Sequence, residues 1–529
     1  MSAPNAPVLR TPSVHPFSGT DVAHHVAMQA AHRGAHPFLI WAPFEGEGRT
    51  WSYAAFYSDV CQIAAGLKAR GVKKGERVLV HLDNCPESIL VWYACAHLGA
   101  VAVTTNARSV AAELTYYAEN AEVVGAITQP KFAQLVKDAC VGLSWLVVTE
   151  TDNGEPAVGG SSPADAAPFV SLYGDAETVP LREPEPFLPV GVQYTSGTTS
   201  RPKGVVWTHA NALWGGKLCA AHETLTQDDV HLVYLPLFHT NAQAYSVLAS
   251  LWVGASLVVQ PRFSASRFWP VSLKHKCTWT SMVPFCLKAL MSQDVPKNHA
   301  YRLWGNGVAN LPTDAHFGVT TMGWWGMTET ITHGIVSNPH DKSTPPMTIG
   351  KPAVGYEIAI TRDDGTPVAP GETGNLLIKG VPGLSLFLEY LNNPAATADS
   401  FDADGFFITG DKVTLLENGF LQFADRDKDM LKVGGENVAA SEVERVIMSV
   451  PGIAECAVVA KKDKMLDEVP VAFLLVPGGA PAGLADQVIE ACKRELADFK
   501  VPREIHIVDS LPRSTLEKIA KAELRKRLD

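Results

Sequence analysis

One stretch constrains this chain more than any other: Tyr194 to His209, Y-T-S-G-T-T-S-R-P-K-G-V-V-W-T-H. Thr195, Ser196, Thr198, Thr199 and Ser200 carry hydroxyls, Gly197 and Gly204 carry no side chain, and Lys203 follows Pro202. Apolar Val190, Val192 and Tyr194 precede it, and Val205, Val206 and Trp207 follow, so a loop joining two strands is expected. Glycines let a backbone approach an anion, hydroxyls and N–H groups donate to phosphate oxygens, and the lysine supplies charge. The arrangement is not the Walker one, because the lysine precedes the last glycine and no helix-opening Lys-Ser/Thr pair follows. Against a plain polar surface turn stands the density of donors beside a lysine fixed by proline. We read the stretch as a phosphate-binding loop.

A chain of 529 residues exceeds one ordinary domain, so two or more are expected. Its net charge of −11 leaves no basic footprint, which argues against nucleic acid and requires any polyanionic ligand to be held locally. Nine cysteines lack a C-x-x-C pair, which suits free thiols in a reducing cytoplasm and argues against a disulfide framework or a zinc site. The start of the chain shows no basic-then-apolar signal pattern. The apolar run from Tyr245 to Val259 is interrupted by Gly254 and too short to span a bilayer, so it reads as buried core. A cytoplasmic protein that engages neither membrane nor nucleic acid is expected.

From Thr50 a helical pattern ends at Gly71, the strand Arg77 to Leu82 follows, and the helix Ile89 to Leu98 and strand Ala100 to Thr104 repeat the alternation. Strands alternating with helices predict a parallel sheet covered by helices. Residues 150–187 read as a surface connection, and further α/β segments are expected at Val230 to Leu235, Ser256 to Val259, Thr278 to Val283 and Ala300 to Trp304. Near residue 350 the pattern changes to short segments with glycine turns, typical of antiparallel strands. Beyond the charged run Asp425 to Asp429, two helices and two strands predict a compact α+β module.

Further short stretches occur in a telling order: P-L-F-H-T-N from Pro236, W-G-N-G-V from Trp304, W-W-G-M-T-E-T from Trp324, T-G-D from Thr409, A-D-R-D-K-D from Ala424, K-V-G-G-E-N from Lys432 and P-R-S-T-L-E-K from Pro512. Each is weak alone. Together with the phosphate loop they resemble the ANL adenylate-forming superfamily, and H-L-D-N-C-P-E from His81, with T-S-G-T-T-S-R-P-K-G-V-V, G-M-T-E-T and G-G-E-N, resembles most the bacterial crotonobetaine/carnitine-CoA ligase group.

The resemblance implies a large N-terminal domain of parallel and mixed sheets with flanking helices and a β-rich subdomain (residues 1–426), followed by a small mobile α+β domain (residues 427–529). It implies an acyl-CoA ligase: a carboxylate attacks the ATP α-phosphorus, then the CoA thiol attacks the acyl-adenylate and AMP leaves. The nucleotide would be held by Thr195, Ser196, Gly197, Thr198, Thr199, Lys203, Gly305, Asn306, Trp325, Gly326, Thr328, Asp411 and Arg426. A flat aromatic such as Trp325 can stack on adenine, and Mg²⁺, a hard cation, would take oxygen from Glu329 and Thr198. Lys428 would be the hinge pivot. His239, Gly434, Gly435 and Glu436 would face CoA, and His239, Asn241, Trp304, Gly305, Gly307 and Trp324 the acyl group. Small residues beside the tryptophans suggest room for a bulky, largely apolar acid. The quaternary-ammonium substrate of the similar group is not expected, because a cation wants a carboxylate or aromatic cage and the gating loop offers neutral Thr240 and Asn241.

The catalytic set would be Lys518, Glu329, His239 and Lys203, and here the chain departs from the family. The usual S-G-K is Leu516-Glu517-Lys518. Loss of glycine costs ~1–2 kcal/mol where a left-handed backbone is needed. A unit charge at ~4 Å in an effective dielectric near ~20 is worth ~4 kcal/mol, reduced by screening to ~1–2. Adenylation is then slowed roughly 10²-fold, since each ~1.4 kcal/mol is tenfold in rate. The thioester half-reaction would survive on an acyl-adenylate supplied by a partner adenylating enzyme. The alternatives are a full two-step synthetase, an enzyme that acylates a carrier protein, and a non-catalytic acyl-adenylate-binding protein.

Overall fold

The computed structural model describes residues 14–156, 162–195, 202–426, 429–433, 436–463, 466–496, 498–513 and 519–528. The chain divides into two compact units, residues 1–357 with 379–406, and residues 358–378 with 407–529. The expected boundary at Arg426–Lys428 lies inside the second unit, and Lys428 is outside the described residues.

The first unit holds two large sheets. One runs in the order Glu389–Tyr390, Lys203–Thr208, Pro189–Thr195, Val101–Thr104, Arg77–His81, Gly125–Thr128, Leu146–Val148, Ala167–Pro168. It is parallel from Pro189–Thr195 outward, and Lys203–Thr208 is antiparallel to both of its neighbours. The other has a parallel centre built from Pro37–Trp41, Ser256–Val259, Val230–Val233, Trp279–Ser281, Leu303–Asn306 and Thr321–Trp325, with antiparallel strands at both ends. Parallel strands are buried on both faces, which is why Val101–Thr104 and Ser256–Val259 read as continuous apolar runs and not as alternations. Connecting helices such as Tyr53–Ala69 and Pro86–Leu98 begin where a Ser52 cap or a Pro86 first turn ends the preceding extension.

Two helical features were not foreseen. The apolar run is not one element: Asn241–Leu248 is a π-helix that passes into the α-helix Ala249–Val253, which closes on left-handed Gly254 before the strand Ser256–Val259. The helix His209–His222, capped by Thr208 and Asn211, carries Gly215 and Gly216, where a Cβ would come within 2.8 Å of Ile331 Cγ2 and of the Leu248 carbonyl. That pair of glycines lets the helix lie directly on the π-helix.

In the second unit, Phe407–Leu415 pairs antiparallel with Thr373–Lys379 and with Leu421–Arg426. A further sheet contains Met430–Val433, Glu436–Ala439, Glu455–Asp463 and Asp467–Leu475, antiparallel, with Glu504–Val508 added in parallel. The helices Ala440–Ile447 and Leu484–Glu495 bury Val443, Val446, Ile447 and Val488 against Leu431, Val458 and Leu474 of this sheet. The expected module was short by the strands Met430–Val433, Glu436–Ala439 and Glu504–Val508 and the helix Lys521–Arg525.

Candidate functional site

Strand register builds the site in the first unit. Thr195 and Lys203 are Cα partners across the hairpin, which fixes the two ends of the connection between them. Residues 196–201, which include Ser196, Gly197, Thr198 and Thr199, lie outside the described residues. The hairpin base is braced: Tyr194 packs on Tyr117 at 4.3 Å between ring centroids, its hydroxyl donates to Asn120 at 2.7 Å, and Tyr116 donates to the Pro202 carbonyl at 2.9 Å.

On the other side of Lys203–Thr208 the chain returns as Glu389–Tyr390, with Val205 opposite Tyr390. Tyr390 thereby joins two residues expected to handle phosphate and metal. The Lys203 ammonium sits 4.5 Å from the Tyr390 ring centroid, and the Tyr390 hydroxyl donates to Glu329 Oε1 at 2.8 Å. Burial, and then the Glu329 carboxylate, hold the Tyr390 phenol far above its usual range, so it remains a donor. Nothing in the local sequence E-Y-L-N-N marks Tyr390. Its role depends on a pairing between strands nearly two hundred positions apart.

Glu329 lies in a short 3-10 turn, Thr328–Thr330, held by two cross-links: Trp207 Nε1 donates to the Thr328 carbonyl at 2.9 Å, and the Phe387 amide to the Glu329 carbonyl at 2.8 Å. The next residue, Ile331, is buried with φ 61° and ψ −41°, and Thr332 N–H donates to the Thr330 carbonyl at 2.6 Å. This is a γ-turn of the strained hand, on a β-branched residue that rarely adopts it. Backbone strain of this kind persists where the surroundings over-determine it, as the packing of Ile331 against Gly215 does.

The acyl side differs from expectation in one place. Gly305 and Trp304 are neighbours on Leu303–Asn306 and therefore face opposite sides of the sheet. Trp304 is fully buried among Phe268, Trp269, Tyr301 and Phe317, so it belongs to an aromatic core and does not share a pocket with Gly305. The space left by Gly305 is filled from within: a Cβ there would overlap Trp324 Cη2 and Cζ3. Trp324 is stacked on Trp279 at 6.0 Å and on His333 at 4.5 Å, and Tyr245 of the π-helix packs against both Trp324 and His333. The glycine accommodates a tryptophan and not a bulky ligand, whereas Gly307 has open space where its side chain would be.

Trp325 is buried and pairs in register with Ile335, and Gly326 makes room for the Tyr245 hydroxyl and the Thr332 carbonyl. Asn306 is buried on the same strand as Gly305. His239 is half-buried against Phe238 at 4.6 Å and its carbonyl accepts from Gln243 N–H, which places it at the mouth of the π-helix that Asn241 opens. In the second unit Asp411 and Arg426 are opposite one another across paired strands, and the Asp411 amide donates to Thr409 Oγ1 at 3.1 Å. Of the expected CoA residues, Gly434 and Gly435 lie outside the described residues and Glu436 begins a strand; Lys518 and Glu517 also lie outside.

The carboxylate of Glu329, anchored at one oxygen by a phenol, has the hard-oxygen chemistry that would suit a magnesium ion. No helix among the described residues is long and apolar enough to cross a membrane.

Comparison with known proteins agrees. Residues 26–391 match the AMP-binding enzyme family, and residues 442–518 the AMP-binding enzyme C-terminal domain. The crotonobetaine/carnitine–CoA ligase of Salmonella arizonae is 34% identical over 504 residues, covering 92% of this chain and 95% of the relative, and that of Escherichia coli strain SE11 is 35% identical with the same coverage. Among solved structures, ATP-bound MatB from Rhodopseudomonas palustris superimposes with a TM-score of 0.84 at 26% identity, covering 96% of this chain and 98% of that one. MenE from Bacillus subtilis with ATP and a magnesium ion gives 0.80 at 27% identity, covering 95% and 98%. A braced hairpin at Thr195 and Lys203, a tyrosine that touches both Lys203 and Glu329, and a separate α+β unit are in keeping with these likenesses: the chain belongs to the AMP-binding enzyme family and is an AMP-forming acyl-CoA ligase of the ANL superfamily.

Proposed function

We propose that this ligase forms an acyl-CoA thioester from a compact carboxylic acid through its adenylate, with the adenylating half-reaction slowed by Glu517. The observation that carries the first half is the Lys203–Tyr390–Glu329 chain beside the phosphate hairpin. Thr195, Ser196, Gly197, Thr198, Thr199 and Lys203 are the residues proposed for the phosphates, Gly305, Asn306, Trp325, Gly326 and Thr328 for the rest of the nucleotide, and Asp411 and Arg426 are further nucleotide candidates. Glu329 and Thr198 would hold a magnesium ion, which would supply neutralisation of phosphate charge. Lys518 would supply positive charge to the adenylation step, Lys428 would be the hinge, and Gly434, Gly435, Glu436 and His239 are the residues proposed for CoA. His239, Asn241, Gly307 and Trp324 border the acyl group. The indole against Gly305 favours a short acid over a polycyclic one. The similar enzymes of Salmonella arizonae and Escherichia coli are named for crotonobetaine and carnitine, which are compact acids.

The second half rests on Leu516-Glu517-Lys518. A negative charge beside the lysine opposes a triphosphate more than it opposes the singly charged phosphate of an acyl-adenylate, so the thioester step is spared. ATP–pyrophosphate exchange decides this. The unmodified protein is expected to exchange slowly while consuming CoA readily when given an acyl-adenylate, and Glu517→Gly to raise exchange roughly 10²-fold. Fast exchange by the unmodified chain rejects slowed adenylation but leaves the ligase reading intact; failure to consume CoA from any acyl-adenylate rejects the ligase reading itself.

A further inference from the structure

Behind Trp324 lies a group of side chains that the proposed reaction does not use. Cys219, Glu223 and His333 are all buried, and one ligand atom of each lies within 4.8 Å of the others. Cys219 and Glu223 are one turn apart at the end of the helix His209–His222, where Glu223 is the capping residue, and His333 arrives on the loop that follows the γ-turn at Ile331. His333 Nε2 is 3.8 Å from Glu223 Oε1. Neither carboxylate oxygen of Glu223, nor His333 Nε2, has a hydrogen-bond partner among the described residues, and both side chains are fully buried.

A carboxylate taken out of water without donors costs several kcal/mol, and buried polar groups nearly always find partners. The neighbouring cation does not serve: Arg302 donates to both oxygens of Asp229, at 2.8 and 2.9 Å, and reaches only the backbone carbonyl of Glu223. The other ring nitrogen of His333 is accounted for, because its Nδ1 lies 3.4 Å from His222 Nδ1. With His333 donating through Nδ1, its Nε2 lone pair faces the Glu223 carboxylate. Two electron-pair donors then confront one another across 3.8 Å, about 0.4–0.5 Å more than the ~3.3–3.4 Å edge of a tetrahedron around an ion with bonds of ~2.0–2.1 Å, a gap that a bound ion would close. Cys219 adds sulfur to the set, with its Sγ 2.9 Å from Thr332 Oγ1. A sulfur, nitrogen and oxygen set suits zinc and its neighbours and not magnesium or calcium, which take oxygen alone.

We propose that Cys219, Glu223 and His333 form a structural site for a zinc-class divalent cation, which ties the helix carrying Gly215 and Gly216 to the loop that carries Glu329. The cation satisfies Glu223 and His333 together, the Cys219 thiol gives up its proton to solvent as it binds, and His222 orients the imidazole, as partners of ligating histidines do. The site braces the γ-turn two residues beyond Glu329. The absence of a C-x-x-C pair, which spoke against zinc in the sequence, does not register a cysteine and a glutamate one helical turn apart, met by a histidine 111 positions after His222.

The test uses the full chain. Elemental analysis of protein purified without chelator is expected to find about one equivalent of zinc-class metal, and cobalt added after chelator treatment to produce a thiolate-to-cobalt absorption band. Cys219→Ser is expected to abolish the band, and Glu223→Gln to weaken cobalt binding at least tenfold. Both can be scored for folding by circular dichroism, and the band of the unmodified chain is read independently of either variant. A folded chain that carries no metal and shows no thiolate band with cobalt overturns the proposal. So does a band that persists in Cys219→Ser, which places the metal elsewhere, and so does a metal-free chain that Glu223→Gln stabilises, which makes the cluster a shared-proton network.

Discussion

Tyr390 was invisible in the sequence and yet connects the two residues most expected to work on phosphate. Removing its hydroxyl in Tyr390→Phe keeps the ring under Lys203 but frees Glu329 Oε1, at a cost of ~1.5–3 kcal/mol for a hydrogen bond to a charged group. The expected outcome in ATP–pyrophosphate exchange is a loss of about tenfold or more, with little change in CoA consumption from supplied acyl-adenylate. An equal loss in both half-reactions would make the tyrosine a structural support only. Trp324 permits a second prediction. Trp324→Ala vacates the volume against Gly305, so acids longer than the native substrate are expected to gain in kcat/KM by about tenfold, since one or two methylenes are worth ~1–3 kcal/mol each in a pocket. The residues lining that pocket were only half legible. Glycine at 305 signals that something comes close, but not whether it is ligand or indole, and the adjacent Trp304 shares its motif while facing the opposite side of the strand.

At the scale of elements, the strands expected at Arg77, Ala100, Val230, Ser256 and Thr278 lie within a few residues of those observed, whereas the parallel strands Pro37–Trp41, Gly125–Thr128, Leu146–Val148 and Thr321–Trp325 were not expected. Nor was the π-helix, since one extra residue per turn leaves no periodicity that a short apolar run can display. The contact it makes is sensitive. Gly215→Ala places a methyl 2.8 Å from Ile331 Cγ2, which must shift or transmit the push into the γ-turn. Overpacking of this kind costs ~1–3 kcal/mol, and thermal unfolding of the variant is expected to move down accordingly. Pyrophosphate exchange is expected to fall as well, because the turn follows Glu329 directly. Retained exchange in a destabilised variant would show that the turn and the carboxylate are independent.

For the whole molecule, burial of histidine sets the acid limit. Burial pushes His25 and His81 down to about 4, and His209 and His231 down to about 3. Each folded value lies below the unfolded one of ~6.5, so the stability that each contributes is present above pH ~6.5 and lost as pH falls from there through 4 toward 3. Four such groups give a slope of up to ~5 kcal/mol per pH unit below that point, and the urea midpoint is expected to fall steeply between pH 6.5 and 5. A flat midpoint over that interval would refute neutral burial. The sequence shows a change from α/β to short antiparallel strands near residue 350 but suggested a boundary at residue 426, whereas residues 358–378 and 407–426 cluster with the tail. The order of assembly follows from one strand. Lys203–Thr208 is complete as a hairpin once its own turn has been synthesised, but its outer edge waits for Glu389–Tyr390. A nascent chain released before that point has the two hairpin strands without the phenol that donates to Glu329, so premature termination products are predicted to be inert toward ATP and not partially active.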